Sequence, residues 1–217
     1  GVILTPPHSE NALITGLLTE RGIPFARIGS NAPGPGIALT MGDEGAAHLA
    51  ATRLADLGHR KIAMIAGPAQ YSLSGWRIDG WKRALAERGL SSEGLLEAGD
   101  FGYESGTKAA RALLDRNPDL TAIIASSDQM ALAALEVARD RGLKVPGDLS
   151  LVSFDNTPIV RFTQPPLTAI DQPIAETVAH AVEQLIARGK DSADDAVIEV
   201  AAGLVERLST APAPDRA

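Results

Sequence analysis

The sequence predicts an α/β protein whose parallel sheets are covered by helices on both faces. Short apolar runs of four to six residues alternate with segments of helical periodicity along most of the chain. Runs of that length fit strands that are buried on both faces, and strand–helix–strand alternation builds parallel sheets with right-handed crossovers. With 217 residues, the chain has room for one large domain or two small ones.

Nine strands are predicted from apolar runs that end at turn residues. The run KIAMIA, for example, closes at Gly67-Pro68, and the first run closes at Thr5-Pro6-Pro7 because proline cannot donate to a strand ladder. The predicted strands are residues 2–4, 25–28, 61–66, 95–97, 122–125, 149–154, 168–170, 197–200 and 204–207.

Six helices are predicted between these strands. Asp43 is a suitable N-cap, Pro173 a suitable first helical residue, and Gly22 and Gly142 are suited to end the helices before them. The predicted helices are residues 10–21, 43–57, 75–88, 103–115, 128–141 and 173–188. On the first of them, Leu13, Leu17 and Leu18 lie on one face.

Composition excludes several kinds of site. The chain has no cysteine, so it has no disulfide, thiol nucleophile or Cys-ligated metal, and its four histidines lack metal-binding spacing; we expect neither a metal nor a cofactor. A net charge of −7 argues against direct binding to nucleic acid. No apolar run is long enough to span a membrane.

Oxygen-bearing side chains gather in the loops that follow four predicted strands. In parallel sheets, ligands bind beyond the carboxyl ends of the strands. That rule selects Thr5 and residues 67–74, 126–128 and 155–157, which suit a small hydroxylated ligand. The nucleophile motifs of hydrolases and the phosphate loop of NTPases are missing from the sequence, so we expect a binding protein and not an enzyme.

Seven motifs in order and spacing point to a family. They are GHRKIAMIAGP at 58–68, Arg77 with Gly80, TAIIASSDQMAL at 121–132, Gly142 with Val145-Pro146, DLSLVSFD at 148–155, PPLTAIDQP at 165–173 and LVERLS at 204–209. Together they resemble the effector-binding core of LacI/GalR-type bacterial transcription regulators. The resemblance covers residues 1–209.

The resemblance implies a periplasmic-binding-protein type I fold: two Rossmann-like subdomains with parallel sheets, joined by three crossover strands. The N-subdomain would be residues 1–40 plus 172–200, and the C-subdomain residues 41–171 plus 201–209. Residues 210–217 would form a flexible tail. In this family a small effector, most often a sugar or a derivative, binds in the cleft between the subdomains and controls operator binding.

The resemblance also bears on the rest of the protein. Family cores begin two βα units before a strand such as 2–4, so we expect the first subdomain to be incomplete in this sequence and more chain to exist in the intact protein. The family's DNA-binding headpiece precedes the core, so operator DNA would be bound only through that segment. A cytoplasmic homodimer without a C-terminal tetramerising coil is implied.

Two site residues carry most of the expected effector recognition. Arg77 matches an arginine that binds effector hydroxyls in the family; the alternative is a surface arginine on an amphipathic helix. Asp155 matches an effector-binding aspartate; the alternative is an Asx turn in the sequence DNTP.

Further candidates follow from the same matches. Phe101 corresponds to an aromatic residue that stacks on the ligand, unless it is a core residue, and Ser127 corresponds to a position where relatives often have Asn. Asp128 is expected to be the N-cap of the next helix. The remaining candidates are Thr5, Gln172, and Ser72 and Ser74, which flank the matching loop position. A periplasmic sugar receptor of a transport system is the alternative function.

Overall fold

A computed structural model describes residues 1–32, 34–188 and 197–215. The strands are β1 (Val2–Leu4), β2 (Phe25–Ile28), β3 (Ile37–Thr40), β4 (Ile62–Ala66), β5 (Leu96–Ala98), β6 (Ala122–Ala125), β7 (Ser150–Asp155), β8 (Thr168–Asp171), β9 (Val197–Glu199) and β10 (Gly203–Val205). The α-helices are α1 (Ala12–Glu20), α2 (Asp43–Asp56), α3 (Ser72–Glu87), α4 (Tyr103–Arg116), α5 (Asp128–Asp140) and α6 (Ile174–Arg188). Within the described residues, no helix has the length and apolar composition needed to span a membrane.

The chain divides into two compact units. Unit 1 contains Gly1–Asp43, Tyr71–Leu73 and Pro173–Ala202, and unit 2 contains Glu44–Gln70, Ser74–Gln172 and Gly203–Ala217. The three main crossings between units lie within three residues of the predicted ones; the short segment 71–73, which was expected in the C-subdomain, belongs to unit 1.

Unit 1 is built on a four-stranded sheet in the order β1-β2-β3-β9, with every pair parallel. Its core contains Ala26, Ile37, Leu39 and Ala181, against which Leu185 and other apolar side chains pack. Strand β3 was not among the predicted strands, because its four residues follow a stretch rich in glycine and proline, which interrupt strand patterns.

The first helix is capped by a side chain and exposes its leucine face. Asn11 caps α1 through its side chain, which accepts hydrogen bonds from the backbone N–H groups of Leu13 and Ile14. Leu13 is 84% exposed and Leu17 47% exposed, while the residue of α1 that is buried is Thr15. The face that carries these leucines is thus largely exposed within the described part of the chain.

Unit 2 is built on a six-stranded sheet in the order β10-β8-β7-β6-β4-β5. All pairs are parallel except β10 with β8, which is antiparallel and lies at the edge of the sheet, so the predicted parallel sheet is confirmed for the other five strands. Helices α4 and α5 pack against each other. Trp81 of α3 is fully buried, and its Nε1–H donates to the carbonyl oxygen of Ile62 at 3.1 Å.

The segment after β10 is attached to unit 2 as far as residue 213. His59 is fully buried, with Nδ1 2.9 Å from Thr121 Oγ1 and Nε2 3.1 Å from the carbonyl oxygen of Ala211. The backbone N–H of Ala213 donates to the carbonyl of Leu57. We expected a flexible tail from residue 210; residues 216–217 of it lie outside the described residues, and the described part is hydrogen-bonded at several points.

Candidate functional site

Arg77 occupies the carboxyl-end edge of the unit 2 sheet. It lies in the second turn of α3, is 3% exposed, and donates from Nη1 to the carbonyl oxygen of Ser126 at 2.8 Å. Its Cζ lies 4.3 Å from the centroid of the Phe154 ring. Ser126 follows β6 and Phe154 lies in β7, so one side chain contacts the ends of two neighbouring strands. A guanidinium fixed in this way presents a planar set of donors, which suits adjacent hydroxyl groups.

Phe101 lies across the end of β4. It has a left-handed backbone, with φ 70°, and its ring occupies the space that a Cβ on Gly67 would need. Only glycine fits beneath this ring. The carbonyl oxygen of Phe101 accepts a hydrogen bond of 2.8 Å from Ser127 Oγ. These two contacts hold Phe101 at the end of β4. The residue is half-buried, so it is not a fully buried core residue.

Ser127 caps helix α5. Its Oγ accepts a hydrogen bond from the backbone N–H of Met130 at 3.2 Å while donating to Phe101. The N-cap is therefore Ser127, and the expectation that Asp128 would be the cap was wrong. The hydroxyl of Ser127 is occupied by protein partners, so its expected contact with a ligand would have to share these hydrogen bonds.

Asp155 ends β7 in a strained turn. Asp155 and Asn156 both have positive φ, 94° and 57°, a conformation that costs about 1–2 kcal/mol for a residue with a side chain. The Asp155 carboxylate accepts hydrogen bonds from Gln172 Nε2 at 2.9 Å and from the backbone N–H of Asp128 at 3.4 Å. The protein thus holds the Asp155 carboxylate in one orientation. Both the Asx-turn alternative and the ligand-binding hypothesis concern this carboxylate.

Asp128 holds this turn in place. It is 4% exposed, and its Oδ2 accepts hydrogen bonds from the backbone N–H of Thr157 at 2.7 Å and from Thr157 Oγ1 at 2.6 Å. Its Oδ1 accepts from Ser153 Oγ. Three donors therefore converge on one buried carboxylate, the kind of charge-assisted arrangement that fixes a loop.

Asn156 is fixed from the opposite side of the turn. Its amide nitrogen donates to Asp171 Oδ1 at 2.8 Å, and its amide oxygen accepts from Arg207 Nη2 at 2.5 Å. Arg207 also donates to the carbonyl of Leu167. Burial is the main cause that lowers the pKa of Arg207 from its ordinary value. The roles of Asp128, Asn156 and Arg207 in this turn were not predicted; the local signal was that Asn156 directly follows β7 and Asp128 begins α5.

Unit 1 carries the other two candidates. The carbonyl oxygen of Thr5 accepts from the backbone N–H groups of His8 and Ser9, which begins a short 3₁₀ helix, His8–Glu10. Ser72 Oγ donates to Glu10 Oε2 at 2.5 Å, and Glu10 Oε1 accepts from Ser30 Oγ at 3.1 Å. Glu10 therefore links the loop residues of this unit, and the sequence analysis had placed it in a helix without assigning it a role.

Six of the eight predicted residues belong to unit 2 and share one connected region. A chain of contacts runs from Gln172 through Asp155 and the adjoining Phe154 to Arg77, and from Arg77 through Ser126 and the adjoining Ser127 to Phe101. Ser74 Oγ lies beside the Phe101 ring at Gly67. The region combines a cation, a carboxylate and aromatic rings, which is the chemistry that binds a polyhydroxylated ring. Across the described residues, no three His, Asp or Glu side chains are grouped to hold a metal ion.

Comparisons with known proteins agree with this architecture. Residues 51–210 match the family of periplasmic binding protein-like domains. The HTH-type transcriptional regulator CelR of Thermobifida fusca is 39% identical over 163 residues, which make up 73% of this chain and 48% of that protein. The HTH-type transcriptional regulator DegA of Bacillus subtilis (strain 168) is 38% identical over 209 residues, or 94% of this chain and 61% of that protein.

A solved structure is similar over nearly the whole chain. It is described as a transcriptional regulator CelR–cellobiose complex; it has a TM-score of 0.88 and 34% identity, and the match covers 96% of this chain and 65% of that one. This chain thus spans about half to two thirds of the length of these relatives.

Proposed function

Because this chain belongs to the family of periplasmic binding protein-like domains, we propose that it is the effector-binding core of a bacterial transcriptional regulator and that its effector is a sugar or a related polyhydroxy compound. The resemblance to LacI/GalR-type regulators that the motifs indicated is confirmed by relatives that are themselves transcriptional regulators. The relative solved with cellobiose supports a sugar as the class of effector.

The observation that carries the proposal is the fixed position of Arg77. Its guanidinium is buried, is stacked on Phe154 and is bonded to the Ser126 carbonyl. A guanidinium carries its N–H donors in one rigid plane. Its planar donor set therefore suits neighbouring hydroxyl groups of a sugar, which accept hydrogen bonds at a similar spacing.

Asp155 and Phe101 supply the complementary functions. A carboxylate accepts from sugar hydroxyls, and the Asp155 carboxylate is held by Gln172 and the backbone of Asp128. The Phe101 ring offers an apolar face of the kind that packs against the C–H groups of a pyranose. Gln172 would take part through Asp155, and Ser127 through the Phe101 carbonyl; the contacts of Thr5 and Ser72 with an effector stay predictions.

Control of transcription would come from segments outside this chain. The net charge of −7 does not favour contact with DNA phosphates, so operator binding is assigned to a separate headpiece. An effector shifts such a system only by binding one state more tightly than the other, and couplings of about 1–3 kcal/mol are typical. We propose a homodimer in the cytoplasm as the form that acts. The relatives reported above are regulators, which disfavours the alternative of a transport receptor.

Isothermal titration with a panel of sugars tests the proposal. The panel contains glucose, galactose, ribose and cellobiose, and the protein variants are Arg77→Ala, Asp155→Ala and the matched control Arg83→Ala, whose side chain is exposed on the same helix. We expect one sugar to bind the wild type and the control equally, and both site variants to bind at least tenfold more weakly while keeping a folded circular dichroism spectrum. Unchanged affinity in both site variants would remove these residues from the site.

A further inference from the structure

The side-chain amide of Asn156 is hydrogen-bonded at both of its ends. The residue is 9% exposed; its Nδ2 donates to Asp171 Oδ1 at 2.8 Å, and its Oδ1 accepts from Arg207 Nη2 at 2.5 Å. An amide donates from its nitrogen and accepts at its oxygen, and here each atom has its own partner. The amide therefore cannot turn over without losing both hydrogen bonds, which fixes its orientation.

Arg207 is itself held at further points. Its backbone N–H donates to Thr168 Oγ1 at 3.0 Å, and its Nη1 donates to the carbonyl oxygen of Leu167 at 2.6 Å. Thr168 is fully buried in strand β8, which lies between β10 and β7 in the sheet. Because the donors of a guanidinium lie in one plane, bonds from both Nη1 and Nη2 fix the direction of that plane. Arg207 is thus a rigid support for the Asn156 amide.

This support bears on a turn that is strained at two consecutive residues. Asp155 has φ 94° and Asn156 has φ 57°. Residues with side chains stay in this conformation only where the surrounding structure holds them, and such strain is concentrated at functional sites. Asp128 bonds the next residue, Thr157, while Arg207 bonds Asn156. Loss of the Arg207 contact would let Asn156 relax, and the direction of the neighbouring Asp155 carboxylate would change with it.

We propose that Arg207 is a positioning residue of the effector site, which acts through the Asn156 amide and sets the direction of the Asp155 carboxylate. This inference rests on the proposed function, in which Asp155 accepts hydrogen bonds from sugar hydroxyls. A protein that spends a smaller fraction of its time in the binding conformation binds more weakly by that same fraction. Arg207 thus raises the affinity for the effector by keeping the turn in one conformation.

The charge of Arg207 is an alternative cause that a control variant separates. Burial, followed by the positive charge of Arg161, lowers the pKa of Arg207, and the carboxylates of Asp128 and Asp171 oppose this shift. Arg161 is exposed in the short 3₁₀ helix Pro158–Arg161. Arg161→Gln therefore removes an equal charge from the same neighbourhood while keeping both hydrogen bonds of the Asn156 amide.

The test is a double-mutant cycle in sugar affinity, measured by isothermal titration. The probe is whichever of glucose, galactose, ribose and cellobiose binds the wild type most tightly. Arg207→Gln and Asn156→Gly remove the two halves of the contact, and glycine accepts a positive φ without strain. Both changes are also made in the Asp155→Ala protein, and Arg161→Gln is the matched control. Circular dichroism and urea unfolding establish that each variant is folded under the conditions of the titration.

We expect Arg207→Gln and Asn156→Gly each to weaken sugar binding about tenfold, and Arg161→Gln to bind as the wild type does. In the Asp155→Ala protein, the same two changes should weaken binding by less than about twofold, because the carboxylate that they position is absent. An equal loss in both backgrounds would give Arg207 a merely structural role and overturn the inference. A loss of the same size in Arg161→Gln would overturn it in favour of charge.

The two ways of failing are distinguishable. If none of the four sugars binds the wild type, the proposed function fails and the inference fails with it. If a sugar binds the wild type and binds a folded Asn156→Gly equally well, the inference alone is overturned. The Asn156→Gly arm carries this comparison even where Arg207→Gln does not fold, since it removes the same hydrogen bond from the other side.

Discussion

The Arg77 guanidinium lies over the Phe154 ring, with Cζ 4.3 Å from the ring centroid, and donates to the Ser126 carbonyl from Nη1. Stacking and hydrogen bonding together fix both the position and the rotation of the guanidinium plane. A cation–π contact of this kind contributes about 0.5–2 kcal/mol, more when water is excluded. Under the proposed function, effector recognition at this site would therefore depend on shape as well as on charge.

Arg77→Lys tests this dependence on shape. Lysine keeps the positive charge, but it cannot stack as a plane and offer paired donors at the same time. We expect sugar affinity to fall at least tenfold, measured by isothermal titration, with a loss of about 1–2 kcal/mol in the free energy of unfolding. Arg83→Lys, on the exposed face of α3, should change neither quantity. Wild-type affinity in Arg77→Lys would show that charge alone is sufficient.

Asp128→Asn tests the anchoring of the 155–157 turn. Asparagine has an N–H₂ group in place of one carboxylate oxygen, so one acceptor is lost where three donors converge. At least one buried donor would then be left unmatched. We expect a loss of about 1–3 kcal/mol in the free energy of unfolding and weaker sugar binding. Trp76 and Trp81 both lie in unit 2, so urea unfolding followed by tryptophan fluorescence reports on this unit.

Asp140→Asn is the control for that experiment, because Asp140 is exposed on the same helix and makes a long surface ion pair with Arg111. It should change the unfolding free energy by less than about 0.5 kcal/mol. If Asp128→Asn were as stable as this control, the turn would be held by the contacts of Asn156 alone.

His59 predicts a stability that depends on pH. Burial is the main cause that lowers the pKa of His59 below its ordinary value of 6.5, and the hydrogen bond to Ala211 opposes this shift. The unfolded chain therefore takes up the proton more readily than the folded one. The contribution of neutral His59 is complete above pH 6.5 and decreases as the pH falls from there toward the lowered pKa.

The measurement is the thermal midpoint of unit 2 at several pH values between 5 and 7.5. We expect the thermal midpoint of the wild type to fall below pH 6.5. His59→Gln should have a lower midpoint than the wild type at pH 7.5, but its midpoint should fall much less on acidification. His180→Gln changes a histidine of unit 1 that is not fully buried, and it should follow the wild type. A parallel decline in all three proteins would assign the effect to other groups.

Gly80 predicts a steric limit at the contact of α2 with α3. A Cβ on Gly80 would overlap the backbone carbonyl of Glu44, which a small side-chain movement cannot relieve. Gly80→Ala should therefore reduce the free energy of unfolding by about 1–3 kcal/mol. In Gly45→Ala the new Cβ meets nothing within 4 Å, and the higher helix propensity of alanine should stabilise α2 by up to about 1 kcal/mol. Urea unfolding distinguishes the two, and equal stability would contradict the contact.

The local sequence predicted most elements to within a few residues. Strand β6 and the start of α4 agree with their predicted bounds. Periodicity and turn residues carry this information because they act over a few neighbouring positions. The exposed face of α1 and the missed strand β3 show the limit of local patterns. The residue pattern of a helix or strand does not indicate which other elements pack against it.

The site was predicted in the same uneven way. Asp155 was selected by its place after a strand and by the family motifs, and Arg77 and Phe101 by the family motifs alone; the three residues lie at one edge of unit 2. The anchoring roles were not predicted: Asp128 was interpreted as a helix cap, and Asn156 and Arg207 were given no contacts. These hydrogen bonds join residues 15 to 51 positions apart in the sequence, so no local pattern reports them.

The amino-acid sequence by itself determined the alternation of strands and helices and the loops that bear oxygen atoms, because backbone propensity and burial periodicity are local properties. Its motifs, in their order and spacing, also indicated the family. Tertiary structure alone decided which groups meet. The strand order β10-β8-β7-β6-β4-β5 brings the end of β7 beside that of β6, and this order creates the turn held by Asp128. The physical reason is that buried hydrogen bonds depend on neighbours across the sheet and not on neighbours along the chain.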